Sequence, residues 1–235
     1  MSDAAPARDR SRYVTAGIAG GFALLFASVT YAATGPTLGL FFGGLVIVAL
    51  LVPPMVLCER SMARQGLVAS AVNDAVGLVW LVAVLRSETT LSQWLRCYLI
   101  LAAFTFALWG CARALRALRI DAIPSSALTI TLAMLWLTWP IWLSRALTPE
   151  MVDWLVPAHP PLAINGVLTS LGIWSEHAIA YRHLMNLGQD VPYQLPSSIL
   201  AGVFAHVIAG GILFAIASLR AESASVPSPG TPGEG

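Results

Sequence analysis

This chain has no lysine and very little charge. Its 13 basic residues are all arginine, its acidic residues number 12, and charged residues make up 11% of the 235 positions. Soluble domains average about 25%, so a shortfall of this size excludes a fold solvated mainly by water. A net charge of +1 without a basic patch interleaved with aromatics gives no reason to expect nucleic acid as a partner. An all-arginine basic set can signal phosphate or carboxylate recognition. Beside so much alanine it reads better as the coding bias of a GC-rich genome.

Cysteine is scarce too. Cys97 and Cys111 share one apolar run and as helix would stand about 21 Å apart, beyond the ~7 Å that a disulfide spans. Cys58 falls at the opposite membrane side from Cys97 in the topology below. No Cys-x-x-Cys pair is present, so the three read as small apolar core residues. No Walker A motif occurs, which assigns any use of ATP to another chain. No Gly-x-Ser-x-Gly occurs, and Ser175-Glu176-His177 is a run rather than a triad. No catalytic residue and no cofactor is therefore expected.

What the chain has instead is six long apolar runs, at 13–33, 37–57, 67–85, 91–112, 127–143 and 197–219. A hydrocarbon core of about 30 Å takes ~20 apolar residues as helix, and each run meets or approaches that length. The fold class that follows is all-α: a polytopic membrane protein of six transmembrane helices, with short interfacial or re-entrant helices between spans five and six. The organisation is an N-terminal arm over 1–12, a transmembrane domain over 13–219 with its long connection at 145–196, and a tail over 220–235. That tail is rich in Ser, Pro and Gly and is expected to be disordered. Arg8, Arg10 and Arg12 ahead of the first run imitate a signal peptide, but a run of this length reads as an uncleaved span.

Arginine in the connections sets the orientation. With the N-terminus inside, Arg8, Arg10, Arg12, Arg60, Arg64, Arg113, Arg116, Arg119 and Arg220 are cytoplasmic, against Arg86, Arg96, Arg145 and Arg182 outside. Both termini are thus expected in the cytoplasm. Seven of the eight tryptophans fall in the outer half under this assignment, Trp80, Trp136, Trp139 and Trp154 among them, as an interfacial belt would. Span four is expected to continue as helix through Arg113, Arg116 and Arg119, one basic stripe serving as a topology anchor or as a docking face for a cytoplasmic partner or anionic lipid. Pro53-Pro54 is expected to end or kink the second helix.

The connection 145–196 exceeds the ~15 residues of an ordinary loop. Thr148-Pro149-Glu150 reads as a helix start, with a cap, a proline at the first turn and an acid, and that helix should stop before Pro157. The run 162–174, interrupted by Gly166, suits an interfacial or re-entrant segment. Ser175-Glu176 begins another helix that Gly188 ends, and Asp190 follows.

Asp74, with Asn73 beside it, is the sharpest single residue. A carboxylate in hydrocarbon costs about 3 kcal/mol on insertion scales, so Asp74 is expected to face the bundle and to have a partner, or to be protonated. It lies about two turns from the inner end of its predicted span. His206, the one histidine inside a span, differs from it in height by about 6 Å when the spans are aligned on their midpoints. A direct or water-bridged Asp74–His206 pair would make a proton or ion relay. The alternatives are a structural hydrogen bond between helices, or Asp74 reaching Arg64. A single span histidine excludes bis-histidine haem within the membrane; His159 and His177 stay open as rim ligands. Glu176, His177 and His183 cluster in sequence but diverge around a helix, so no metal site is expected there.

The six-span order, the Pro53-Pro54 end of span two, the Glu59-Arg60 pair with Arg64, and the outer segment between spans five and six together resemble the bacterial ABC-2-type exporter permeases. That resemblance implies both termini inside the bacterial inner membrane and re-entrant helices outside. It also implies that Glu59, Arg60 and Arg64 contact a separate ATPase subunit. The competing readings are a non-catalytic accessory subunit of a larger membrane complex, and a membrane-embedded enzyme working through Glu176, His177 and His183.

Overall fold

A computed structural model describes residues 5–35, 38–87, 89–143, 146–168 and 195–225. The described residues form eight helices and no strand: α1 (Ala5–Thr34), α2 (Leu38–Cys58), α3 (Met62–Leu85), α4 (Leu91–Ala117), α5 (Ala122–Trp142), α6 (Pro149–Ala158), α7 (Pro160–Leu168) and α8 (Leu200–Ser225). Six of them, α1 to α5 and α8, are long and apolar enough to cross a membrane. The chain is thus an all-α, multi-pass integral membrane protein. In lipid every backbone polar group must be satisfied internally, which a continuous helix does.

Several boundaries differ from expectation, each for a local reason. α2 runs through Pro53 and Pro54 to Cys58; the two missing N–H groups leave carbonyls that a packed transmembrane helix tolerates. α3 begins at Met62, where Ser61 Oγ accepts from the Arg64 N–H at 3.3 Å. Asp74 therefore sits halfway along its helix rather than two turns from its end. α4 opens on a capping box in which Thr90 and Gln93 each bond the other's backbone N–H. It ends at Ala117, two residues short of Arg119, whose φ of 65° is left-handed and cannot continue a helix. The expected stripe of Arg113, Arg116 and Arg119 is broken there. α8 continues to Ser225, past the Arg220 at which the tail was expected to start.

Packing follows residue size. α1 buries Ala16, Ala19, Ala23 and Ala27 and lies on α3 and α2; small residues let transmembrane backbones approach when no hydrophobic effect drives them together. α4 and α8 form the most intimate pair. A Cβ placed on Gly110 would stand 2.8 Å from the Gly210 carbonyl oxygen, so the crossing exists only because both residues lack side chains. α3 is the most buried span, and α1 and α8 are the least. Trp80 is fully buried and packs on the Phe41 ring at 4.8 Å. Trp139 is 2% exposed. The tryptophans thus do not form one belt: these two are core, whereas Trp154 is 81% exposed.

α6 starts as expected. Thr148 caps it and accepts from the Met151 N–H, with Pro149 in the first turn. It continues through Pro157 to Ala158, two residues beyond the expected stop. α7 is buried almost throughout and packs on α4, α2 and α6, which makes it an inserted helix rather than a surface one. A Cβ on Gly166 would collide with the Pro196 carbonyl oxygen. The glycine that looked like an interruption is where α7 meets the approach to α8.

Candidate functional site

Among the described residues, three polar clusters stand out in the apolar bundle, one at each end and one halfway along α3.

At the end bearing the α2–α3 and α4–α5 turns, Gln65 is the hub and is 7% exposed. Its Nε2 donates to the Glu59 carbonyl oxygen at 2.8 Å. Its Oε1 accepts from Trp109 Nε1 at 3.1 Å and from Arg113 Nη1 at 3.0 Å. One amide thus ties the α2–α3 turn to the last turns of α4. Arg64 lies 3.7 Å from the Glu59 carboxylate, and the Arg113 guanidinium sits over the Phe214 ring of α8 at 5.7 Å. Arg116 donates to the Ile120 carbonyl at 3.0 Å and stands 3.9 Å from Asp121. Arg60 is exposed. The arginines of the expected stripe therefore have three different surroundings: Arg113 inside, Arg116 on the turn and Arg119 within it.

Halfway along α3, Asn73 is buried and Asp74 exposed. Thr105 Oγ1 donates to Asn73 Oδ1 at 3.0 Å, sharing its proton with the Leu101 carbonyl at 2.9 Å. Tyr98 OH donates to Asp74 Oδ1 at 2.5 Å, and Asn73 Nδ2 reaches the same oxygen at 3.5 Å. Trp94 stacks on Tyr98 at 5.3 Å and donates from Nε1 to the Gly77 carbonyl at 3.0 Å. α4 thus holds Asp74 through Tyr98, a hydrogen bond between helices, and the residue lies exposed at the edge of that contact rather than buried in the bundle.

At the opposite end, α5, α8 and the α6–α7 junction bring two histidines to either side of Trp136. His206 lies early in α8. Its Nδ1 is 2.7 Å from the Gly202 carbonyl and its Nε2 is 3.2 Å from Trp136 Nε1. A carbonyl only accepts and an indole only donates, so Nδ1 carries the proton and Nε2 is the acceptor. His159, 1% exposed, has Nε2 3.2 Å from the Leu137 carbonyl, which makes Nε2 the donor. Its Nδ1 is buried without a partner, as is Nε1 of Trp139, whose ring lies 5.3 Å away. The Trp136 ring is 5.8 Å from His159 and 6.2 Å from His206. Burial pushes the His159 imidazole down to about 3, against the opposing pull of the Leu137 and Trp136 carbonyls. At the start of α6, the Thr148 hydroxyl and then the Glu150 backbone N–H hold the Glu150 carboxyl below the usual range.

The structure does not bring Asp74 and His206 together. α8 packs on α4 and α6, and each of the two residues has partners of its own. Both ring nitrogens of His206 are engaged, which suits a positioning role better than a relay. Glu176, His177, His183 and Asp190 lie outside the described residues. Gln65, Tyr98, Thr105 and Trp136 were not singled out as site residues by sequence reasoning, and His159 was named only as an open rim ligand. The available signal was a polar or indole side chain within an apolar stretch, as at Gln65, Trp109 and Trp136; which helix each would face was not written there. Among the described residues no group of three or more His, Cys, Asp or Glu is placed to hold a metal ion.

No family model matches the chain, and neither the curated proteins nor the solved structures give a match.

Proposed function

We propose that this integral membrane protein is a permease-like subunit of a transport complex, driven by a separate cytoplasmic ATPase, in the bacterial inner membrane with both termini in the cytoplasm. The observation that carries the reading is the Gln65 hub. A turn that receives force from a partner must be coupled rigidly to the helices it moves. Here the Glu59 carbonyl, Gln65, Trp109 and Arg113 form one hydrogen-bonded chain from turn to span four. A displacement of the turn then moves α4, and with it Tyr98 and α8. Arg60 and the Glu59–Arg64 pair would be the contact surface, and Arg116 and Arg119 flank it on the α4–α5 turn. The inserted α6–α7 pair supports the same reading, since it matches the re-entrant layout between spans five and six.

The test is a photo-crosslinking amino acid in place of Arg60, in cells making the whole chain. The expected adduct is a soluble nucleotide-binding protein. Adducts only with integral membrane proteins or lipid would overturn the reading.

One observation favours the second reading, an accessory subunit held by lateral contacts: the outward-facing carboxyl of Asp74, which a self-contained permease has no use for.

A further inference from the structure

On α3, Leu67, Ser70, Asp74, Leu78 and Val82 recur in steps of three and four residues and so share one face. All five are exposed. Exposed leucine and valine are ordinary where the solvent is lipid. A carboxyl at mid-helix is not, because a polar group there must be hydrogen-bonded or paired. The bundle satisfies only half of it: both Tyr98 OH and Asn73 Nδ2 go to Oδ1. Asp74 Oδ2 has no hydrogen-bond partner among the described residues. Asn73, one residue earlier, is buried and satisfied by Thr105. The same helix therefore has an inward polar residue that completes the fold and an outward one that does not.

We propose that this face of α3 docks a transmembrane helix of another subunit, one that carries Arg or Lys at mid-depth, with Asp74 Oδ2 as the acceptor. Charge decides the occupant. A basic side chain supplies the missing donor and cancels the carboxylate in a medium where neither is tolerated alone. The apolar residues above and below are spaced to pack against a helix, and Ser70 one turn away leaves room for close approach. A second copy of this chain meeting the same face about a twofold axis would set Asp74 against its own duplicate. The inference does not depend on an ATPase; Arg60 cross-linking tests that reading, and lateral association tests this one.

The experiment uses the full chain in phosphatidylcholine vesicles, labelled with a donor fluorophore at the exposed Cys58. The probes are two acceptor-labelled Leu/Ala transmembrane peptides, identical except for a central Arg in one and Leu in the other. The expected result is that the Arg peptide associates about tenfold more tightly than the Leu peptide. That preference should fall to about twofold or less in Asp74→Asn, which keeps an oxygen for Tyr98 but loses the charge. Leu78→Trp, which fills the face and leaves the carboxyl in place, should weaken association of the Arg peptide. Equal association of both peptides with the unaltered chain overturns the proposal, and so does a preference that survives Asp74→Asn. Energy transfer between two labelled copies that is lost in Asp74→Asn would assign the face to self-association instead.

Discussion

At the arginine-bearing end of the bundle, one amide serves a backbone carbonyl, an indole and a guanidinium at once. At the opposite end, two imidazoles share one indole, lean on backbone carbonyls, and leave His159 Nδ1 and Trp139 Nε1 buried without partners. The difference is chemical. A primary amide presents two donors and two acceptor lone pairs, so it can be the centre of a network. A neutral imidazole has one donor and one acceptor on opposite sides of a ring, and an indole has a donor alone. Rings thus have fewer ways to be satisfied than an amide, although the amide-centred end also leaves Arg113 Nε buried without a partner. The first end is tied by a hydrogen-bonded network, and the second is held mainly by shape.

The largest expected effect breaks the shape-held end. Gly166→Ala forces a Cβ against the Pro196 carbonyl and should cost about 3 kcal/mol, read as a lower unfolding midpoint in detergent; an unchanged midpoint would mean that α7 does not abut Pro196.

Acid should loosen the same end. The ordinary imidazole value near 6.5 is depressed to about 3 in His159. The neutral form is thus the folded form, and its stabilisation is complete above pH 6.5 and lost as pH falls below that. The slope is at most about 1.4 kcal/mol per pH unit. Hydrogen-exchange protection across residues 149–168, taken relative to the intrinsic rate at each pH, should fall between pH 6.5 and 5, and His159→Gln should flatten that dependence.

Gln65→Leu tests the network end. It strands the half-buried indole of Trp109 and removes an acceptor from Arg113, a loss of about 2 kcal/mol. It should also uncouple Arg60-directed partner binding from movements of α4, measured by a spin-label pair on the turn and on α4. Full coupling in the variant would mean that the amide is not the link.

The smallest effect belongs to the middle. Thr105→Val removes the donor to Asn73 and should cost about 0.6 kcal/mol, the average of hydrogen bonds between transmembrane helices. A value several times larger, by double-mutant cycle with Asn73→Leu, would make this seam part of the transmitting network.

Much of the fold was legible because lipid imposes a length. Each of the six runs corresponds to a helix, and Thr148-Pro149-Glu150 begins α6 because capping is local chemistry. The errors lie where neighbours decide. The helix through Arg113 stops before Arg119, and Trp80 belongs to the core rather than to a rim. Of the candidate site, the sequence pointed to Asp74, Asn73 and His206 as polar groups in apolar stretches. It could not supply their partners, since Tyr98, Thr105 and Trp136 are ordinary residues until a helix face is chosen.

Composition and run length alone determined the solvent, the helical class and the number of crossings, because backbone groups in hydrocarbon leave no other choice. Which side of α3 would carry Asp74, and whether it would meet His206, depended on the rotation of each helix about its axis. That rotation is set by contacts between surfaces of nearly equal hydrophobicity, among them the glycine crossing of α4 and α8 and the alanine face of α1. Lipid cannot distinguish those faces, so only side-chain fit could.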